Sequence, residues 1–185
     1  MVYPVVIEGE RVVLREWVDD DLAAFLETMG DDEVLRHVPL AVVDEAGAAR
    51  RLDQVLDRAV TEPRSTYNLA IVARGHDAPC GTISLILESP EHHRCEIGFA
   101  LAKRVWGRGY ATEAVGLMLH FGFDHMAARR IWAVCTPENP ASAAVLARNG
   151  LRHEGTLRSD LLIDGRWRDS EMWAVLSPPG DPADR

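Results

Sequence analysis

Two arginines and two glycines in residues 104–109 form the stretch of this 185-residue chain whose types and spacing point most directly to chemistry. Gly107 and Gly109 flank Arg108, and glycine allows backbone angles that turn successive N–H groups toward one point. Arg104 and Arg108 add fixed positive charge. A helix beginning just after such a loop adds unpaired amides and the positive end of its dipole. The stretch therefore predicts a phosphate or pyrophosphate site.

The residues on either side of this loop predict the elements that position it. Alternation before the loop predicts a strand over residues 96–102, with Gly98 on a face of small residues that lets another backbone or an extended ligand approach closely. Residues 109–126 follow as a helix that is apolar on nearly every side, which is typical of a helix buried between layers.

The motif Arg104-x-x-Gly107-x-Gly109 resembles the (Gln/Arg)-x-x-Gly-x-(Gly/Ala) motif of the GCN5-related N-acetyltransferase (GNAT) family. The run over residues 106–114 is similar to the subgroup that includes ribosomal-protein N-terminal acetyltransferases. This resemblance implies that the loop amides hold the pyrophosphate of acetyl-CoA and that the preceding strand pairs with its pantetheine arm. The cofactor-binding residues that it implies here are Phe99, Ala100, Leu101, Arg104, Trp106, Gly107, Arg108, Gly109, Tyr110 and Ala111.

A second block begins at Asn139. Asn139 fits an N-cap, Pro140 the first helical position and Gly150 the position just past the helix end, so local chemistry alone explains these residues. The block also resembles the second conserved block of the same family, which implies that Asn139 and Ser142 bind the cofactor, with Ser142 facing its sulfur. Many relatives carry a tyrosine acid four residues past the serine, where this chain has Leu146.

Acetyl transfer to an amine needs a polarised thioester, a proton acceptor and a proton donor, and the chain offers a candidate for each. A backbone N–H in residues 99–101 can stabilise the oxyanion. Glu96 is the candidate base and Ser142 the candidate acid, so these two are the predicted catalytic residues. Alternatives stay open: Glu96 pairs with Arg94 or another cation as a structural residue, Ser142 only caps its helix, or a water takes the role of either. Glu113 is a second candidate base.

Alternating and helical patterns in the rest of the chain predict an α/β (α+β) fold. Strands are predicted over residues 12–15, 67–73, 80–87 and 129–136, and a hairpin over residues 152–176 turns at Asp164-Gly165. Residues 22–29 and 44–62 predict amphipathic helices, the first capped by Asp19, Asp20 and Asp21. The resemblance implies a GNAT-like three-layer fold, in which a mixed, mostly antiparallel sheet with a splayed strand pair is flanked by helices. It also implies that the first two helices and the loop at residues 36–40 cover the acceptor pocket.

Composition narrows the possible partners. The chain is 47% hydrophobic with a net charge of −9, which suits one acetyltransferase domain over residues 1–176 with a disordered tail at residues 177–185, and disfavours nucleic acid as a partner. Three widely spaced cysteines predict reduced core thiols, and His92-His93 lacks the spaced partners of a metal site. No stretch reaches the roughly 20 apolar residues that span a bilayer, so no membrane partner is expected and the expected location is the cytoplasm. Monomer and homodimer both remain open.

The sequence therefore predicts an acetyl-CoA-dependent N-acetyltransferase that needs no metal and acts on a peptide N-terminus or a small-molecule amine. A detoxifying acetyltransferase of antibiotics or amino acids and a non-catalytic acyl-CoA-binding module are the alternatives. A dinucleotide-binding oxidoreductase is disfavoured because the third fingerprint glycine and repeated βαβ units are missing, and a phosphate-loop NTPase because no Gly-Lys-Ser/Thr ending is present.

Overall fold

One mixed sheet runs through the part of the chain described by the computed structural model, residues 3–163 and 165–177. Its eight strands lie in the order β1-β2-β3-β4-β5-β6-β8-β7, and every neighbouring pair is antiparallel except β5 and β6. The strands are β1 (Val6–Glu8), β2 (Val12–Glu16), β3 (Thr66–Ala73), β4 (Pro79–Ser89), β5 (Arg94–Leu101), β6 (Arg130–Cys135), β7 (Arg152–Ile163) and β8 (Arg166–Leu176).

Helices cover both faces of this sheet and give the three predicted layers. On one face, α4 and α5 pack on the larger core, which includes Leu14, Ile83 and Ile131. On the other face, α1 and α3 pack on a smaller core around Trp17 and Phe25. The helices are α1 (Leu22–Met29), α2 (Asp32–Leu35), α3 (Glu45–Ala59), α4 (Tyr110–Met126) and α5 (Pro140–Arg148). The predicted fold class is confirmed.

The acidic triplet before α1 has a different role from the predicted cap. It forms a 3-10 turn, and no side chain caps the first amides of α1. Asp21 instead accepts two hydrogen bonds from the Arg15 guanidinium, at 2.6 and 2.9 Å, and one from the Val18 N–H. The ion pair ties β2 to the entrance of α1, because a bidentate guanidinium is a stronger partner than a helix amide.

A buried ion pair joins β2 to the segment before β3, and nothing in the local sequence pattern indicates it. The guanidinium of Arg64 donates to both carboxylate oxygens of Glu16, at 2.7 and 3.0 Å, and also lies over the ring of Tyr67. The Val5 N–H donates to the same carboxylate at 3.1 Å. Both charged side chains are almost fully buried. Removing either one would leave an unpaired charge in the core, which is strongly destabilising.

Two predicted features fall at the limits of the described residues. Asp164 of the predicted Asp164-Gly165 turn lies outside them, although β7 and β8 form the predicted hairpin. Residues 178–185 also lie outside, whereas Ser177 is buried and its N–H donates to the Arg129 carbonyl at 3.0 Å. The single domain over residues 1–176 and the disordered tail stay predictions.

None of the described helices is long and apolar enough to cross a lipid bilayer.

Candidate active site

The two parallel strands at the centre of the sheet separate after a short stretch. Only three residue pairs join β5 to β6, and the last of them is Glu96 with Trp132. On the other side of β5, the Ala102 N–H donates to the Cys80 carbonyl at 2.9 Å. Because amides alternate in direction along a strand, the N–H groups of Phe99 and Leu101 point away from β4, into the opening. These two amides can bind an extended polar ligand.

The glycine loop follows β5 directly and has the predicted backbone. Gly107 and Gly109 have φ of +75° and +80°, in the left-handed region that favours glycine, and α4 begins at Tyr110. The Trp106 indole N–H donates to the Leu101 carbonyl at 2.8 Å, so the loop folds back onto the end of β5. The positive end of the helix dipole therefore lies at the carboxyl end of β5, where it favours an anion.

The two arginines of the loop have different partners. Arg104 donates to the Glu27 carboxylate at 2.7 Å and to the Pro79 carbonyl at 3.1 Å, which joins the loop to α1. The neighbouring Lys103 pairs in the same way with Glu33 of α2. The Arg108 side chain is exposed, with no ion-pair partner in the described part of the chain. Arg108 is thus the loop cation left to meet a ligand, whereas the charge of Arg104 is balanced by a carboxylate.

The second predicted block begins α5 at the same edge of the sheet. The Asn139 side chain accepts from the Ser142 N–H at 3.1 Å, which confirms the predicted N-cap. The Asn139 N–H in turn donates to the Thr136 carbonyl at 2.9 Å, close behind β6. Because the carboxyl ends of parallel strands lie at one edge, the N-termini of α4 and α5 both face the opening between β5 and β6. Ser142 is partly buried in the first turn of α5.

Glu96 lies where the two strands begin to separate, on the sheet face that also carries Gly98 and Ala100. It is partly buried, and its burial, followed by the charge of Glu88, raises the pKa of the carboxyl. The alternative partner, Arg94, donates instead to Glu88 at 3.1 Å. Within the described residues Glu96 has no ion-pair partner, so its environment is that of a group able to take up a proton.

Glu113, the second candidate base, has a structural role. Its carboxylate accepts from the backbone N–H of Arg11 at 2.8 Å and from that of Val12 at 3.5 Å. These bonds fasten the first turn of α4 to the start of β2. Contacts at the start of β2 thus account for both oxygens of the Glu113 carboxylate, which leaves Glu96 as the better placed candidate.

A cavity of about 410 Å³ lies on the α1–α3 side of β5. Its floor includes Gly98 and Ala100, so it opens onto the predicted small-residue face of the strand. The helices predicted over residues 22–29 and 44–62 and the loop between them at residues 36–40 line the cavity. This is the region that the resemblance places over an acceptor pocket. Its apolar walls are Phe25, Met29, Leu35, Val38, Leu40 and Val55, and its polar side chains are Arg51, Gln54, Arg58, Asn68, Thr82 and Ser84.

The polar wall of this cavity escaped the sequence analysis. Arg51, Gln54 and Arg58 lie three and seven positions apart on α3, which places them on one helix face. The regular apolar stripe at Ala48 and Leu52 indicated the buried side of α3, and the arginines fitted an exposed side. The one available signal was the helical spacing of Arg51, Gln54 and Arg58 beside that apolar stripe, which indicates a second side of α3 that could face a cavity.

Metal binding has no visible basis in the site. Across residues 3–163 and 165–177, no three His, Cys, Asp or Glu side chains come together in a way that could hold a metal ion. His92 and His93 lie in the turn between β4 and β5, where the His93 ring contacts the Ala127 carbonyl at 3.1 Å.

Comparison with known proteins finds relatives that match most of this chain in sequence and in structure. The family model described as "Acetyltransferase (GNAT) domain" matches residues 11–152. The chain is 28% identical over 173 residues to "Uncharacterized N-acetyltransferase YoaA" of Bacillus subtilis, covering 94% of this chain and 97% of that protein. A crystal structure of a GNAT-family acetyltransferase from Bacillus anthracis superposes with a TM-score of 0.82 at 27% identity, covering 93% of this chain and 98% of the other. This chain is also 33% identical over 90 residues to the Escherichia coli "[Ribosomal protein uS5]-alanine N-acetyltransferase", and this match covers 49% of this chain and 46% of that protein.

Proposed function

Because this chain belongs to the GNAT family of acetyltransferases, we propose that it moves the acetyl group of acetyl-CoA to a primary amine by direct transfer. The observation that carries the proposal is the opening between β5 and β6, with free strand amides on one side and two helix N-termini at its end. The acceptor is the α-amine of a peptide or a small-molecule amine that enters the cavity beside Gly98 and Ala100.

The residues around the opening fit acetyl-CoA. One of the two amides, that of Phe99 or that of Leu101, would bind the extended pantetheine arm as a neighbouring strand would, and the other would be left for the thioester carbonyl. The loop from Trp106 to Ala111, with its two left-handed glycines, would hold the pyrophosphate, and Arg108 would add the charge. Asn139 would support the arm from the other side, at the start of α5.

The transfer step then has a proton route through side chains of this chain. The amine nitrogen attacks the thioester carbon while the Phe99 or Leu101 N–H donates to the carbonyl oxygen and stabilises the developing negative charge. Glu96 accepts the proton lost by the amine, directly or through a water. As the C–S bond breaks, the Ser142 hydroxyl donates a hydrogen bond to the departing thiolate, and the thiolate takes up its proton from water.

Leu146 cannot donate a proton to the departing sulfur, so this role falls to Ser142 or a water. It occupies the position where many relatives carry the tyrosine acid, and it is buried in the larger core with 1% of its surface exposed. Its position therefore contributes packing between α5 and the sheet, and the proton for the sulfur has to come from another group.

The first test is thermal unfolding of the purified protein with acetyl-CoA, CoA, NAD or ATP. Ligand at about 100 times Kd stabilises by about 2.7 kcal/mol, a shift of several degrees for a chain of this size. We expect the shift with acetyl-CoA and CoA only. A shift with NAD or ATP alone, or none at all, would contradict the proposal.

The second test is CoA release in the presence of a panel of amines. Glu96→Gln and Ser142→Ala are expected to lower kcat by about 10² or more, the usual scale of proton-transfer catalysis, while the acetyl-CoA-induced shift in Tm is kept. Binding of acetyl-CoA with no turnover of any amine would favour the non-catalytic acyl-CoA-binding module.

A further inference from the structure

The cavity beside β5 carries positive charge on a protein whose net charge is −9. Arg51 and Arg58 line it, and none of its described lining residues is acidic. Neither arginine forms an ion pair within residues 3–163 and 165–177. Asp53 and Asp57 lie on the same helix but are exposed and do not line the cavity. The local charge at the proposed acceptor site is therefore opposite to that of the whole molecule.

Arg51 is the more informative of the two arginines. One of its terminal guanidinium nitrogens, Nη1, is fully buried and has no hydrogen-bond partner in the described structure. A buried donor without an acceptor is costly, and more so when it carries charge. The Arg51 side chain lines the cavity, so an anion that enters can pair with the charge of this guanidinium, and a planar carboxylate matches its fork of donors.

We propose that the acceptor amine is a small molecule with an apolar skeleton and a carboxylate, and that Arg51 binds this carboxylate. The proposal rests on the acetyltransferase function above and names its substrate class. The cavity reaches from Arg51 on α3 to Gly98 and Ala100 on β5, so one small molecule can place its carboxylate at the helix and its amine beside the strand. Its volume of about 410 Å³ lies at the small end of ligand pockets.

The remaining lining separates this acceptor class from others. Phe25, Met29, Leu35 and Val55 line the cavity and favour an aliphatic or aromatic skeleton over a polycationic one. A polyamine would place a second positive charge near Arg51 and Arg58, where no described side chain of the lining balances it. A peptide N-terminus has a neutral amide where the proposed acceptor has a carboxylate, so it can accept a hydrogen bond from Arg51 but leaves the charge of Arg51 unbalanced.

The test compares acceptors that differ only in the carboxylate. L-leucine, L-leucinamide and isopentylamine form one such set, and 6-aminohexanoate with hexylamine forms another with a longer spacing between the two groups. A short peptide amide with an N-terminal leucine serves as the peptide acceptor. Each rate of CoA release is divided by the concentration of the unprotonated amine, because the acceptors differ in the pKa of their amines.

In at least one set, we expect the acceptor with a carboxylate to have a kcat/KM at least about tenfold higher than the acceptors without one. A hydrogen bond to a charged group gives a difference of this size. Arg51→Met is expected to remove this preference through KM, with a larger fall in kcat/KM for the acceptors that carry a carboxylate than for those that lack one. Arg51→Lys is expected to keep part of it. The control is Arg50→Met, one position along the same helix at an exposed side chain, which should keep the preference intact.

The outcomes separate this proposal from the acetyltransferase function. If the amines without a carboxylate or the peptide amide are acetylated at least as fast as the amino acids, the carboxylate proposal alone is overturned. Equal slowing of all acceptors by Arg51→Met would overturn it as well. Binding of acetyl-CoA with no turnover of any member of the panel would overturn the proposed function, and the acceptor class with it.

Discussion

At the scale of single residues, Glu96 is a partly buried carboxyl whose neighbours disfavour its charged form. Burial, followed by the charge of Glu88, raises the pKa of this carboxyl above its ordinary value. A group whose pKa is raised on folding adds stability that is fully present below its unfolded pKa and is lost as the pH rises through its folded pKa. A carboxyl in a site where its charge lowers stability is a candidate for proton transfer.

Glu96→Gln is therefore expected to raise Tm at neutral pH and to lower acetyl transfer. The amide stays neutral, so the Tm difference from the wild type should shrink as the pH falls toward about 4, the ordinary range of a carboxyl. The wild-type kcat/KM should rise with pH through the Glu96 titration, and this limb should be missing in the variant.

The control for this experiment is Glu91→Gln, an exposed carboxyl in the turn between β4 and β5. It is expected to change neither the pH profile nor Tm by a measurable amount. A Tm that falls in Glu96→Gln by the same amount at every pH would show that Glu96 is a structural acceptor.

At the scale of elements, the glycine loop between β5 and α4 owes its form to two positive φ angles. Gly107 has φ of +75°, and no atom lies within 4 Å of where a Cβ would be, so any effect of alanine there is conformational. Gly150, which ends α5 at the opposite end from the opening, has φ of +81° and equally free surroundings. The two positions form a matched pair.

Gly107→Ala and Gly150→Ala are each expected to lower the free energy of unfolding by about 1–2 kcal/mol, the cost of a left-handed L-residue. Only Gly107→Ala should weaken acetyl-CoA binding, because only there do the displaced amides belong to the proposed pyrophosphate site. Urea denaturation and calorimetric titration measure the two effects separately. Equal changes in Kd for the two variants would contradict the assignment of the loop.

The elements that the sequence predicts correctly are those whose causes are local. Alternation indicated β5, the glycine spacing indicated the loop, and Asn139 with Gly150 marked both ends of α5, since each signal lies within one turn or strand of its effect. The pairing of Arg104 with Glu27 joins residues 77 positions apart, and no local pattern reports such a contact. The cavity-facing role of Arg51 was equally hidden, because it depends on how α3 lies across the sheet.

At the scale of the whole molecule, the ion pair of Glu16 and Arg64 is a buried connection between parts of the chain 48 positions apart. Arg64→Met leaves the Glu16 carboxylate buried without its cation, and we expect a loss of about 3–5 kcal/mol in the free energy of unfolding. The double variant Glu16→Leu/Arg64→Met should recover much of this loss, because no uncompensated charge remains in the core.

The exposed pair of Arg74 and Glu8, with an N···O distance of 3.0 Å, is the control. Arg74→Met should cost less than about 1 kcal/mol, the usual contribution of a surface ion pair. Equal losses in Arg64→Met and Arg74→Met would mean that burial of the first pair does not determine its importance.

The three cysteines report on the integrity of the core. Cys80, Cys95 and Cys135 are buried free thiols, as predicted, and burial raises the pKa of Cys95 and of Cys135 to about 11. Almost no thiolate is present at pH 8, and the thiolate is the reactive form. A thiol reagent is expected to modify the native protein only at the rate of global unfolding and to modify all three cysteines in denaturant. Fast reaction of any thiol in the native state would reveal local opening of the sheet.

The short ladder between β5 and β6 also sets how the molecule bears a mechanical load. Five strands lie on one side of it and three on the other, and the ladder that joins the two parts of the sheet has three residue pairs. Under tension applied across β1 and β7, rupture is expected to begin at this seam rather than along the longer antiparallel ladders. A molecule lying in the opening would bridge the two parts and raise the rupture force, so the binding site is also the place where the sheet can be reinforced.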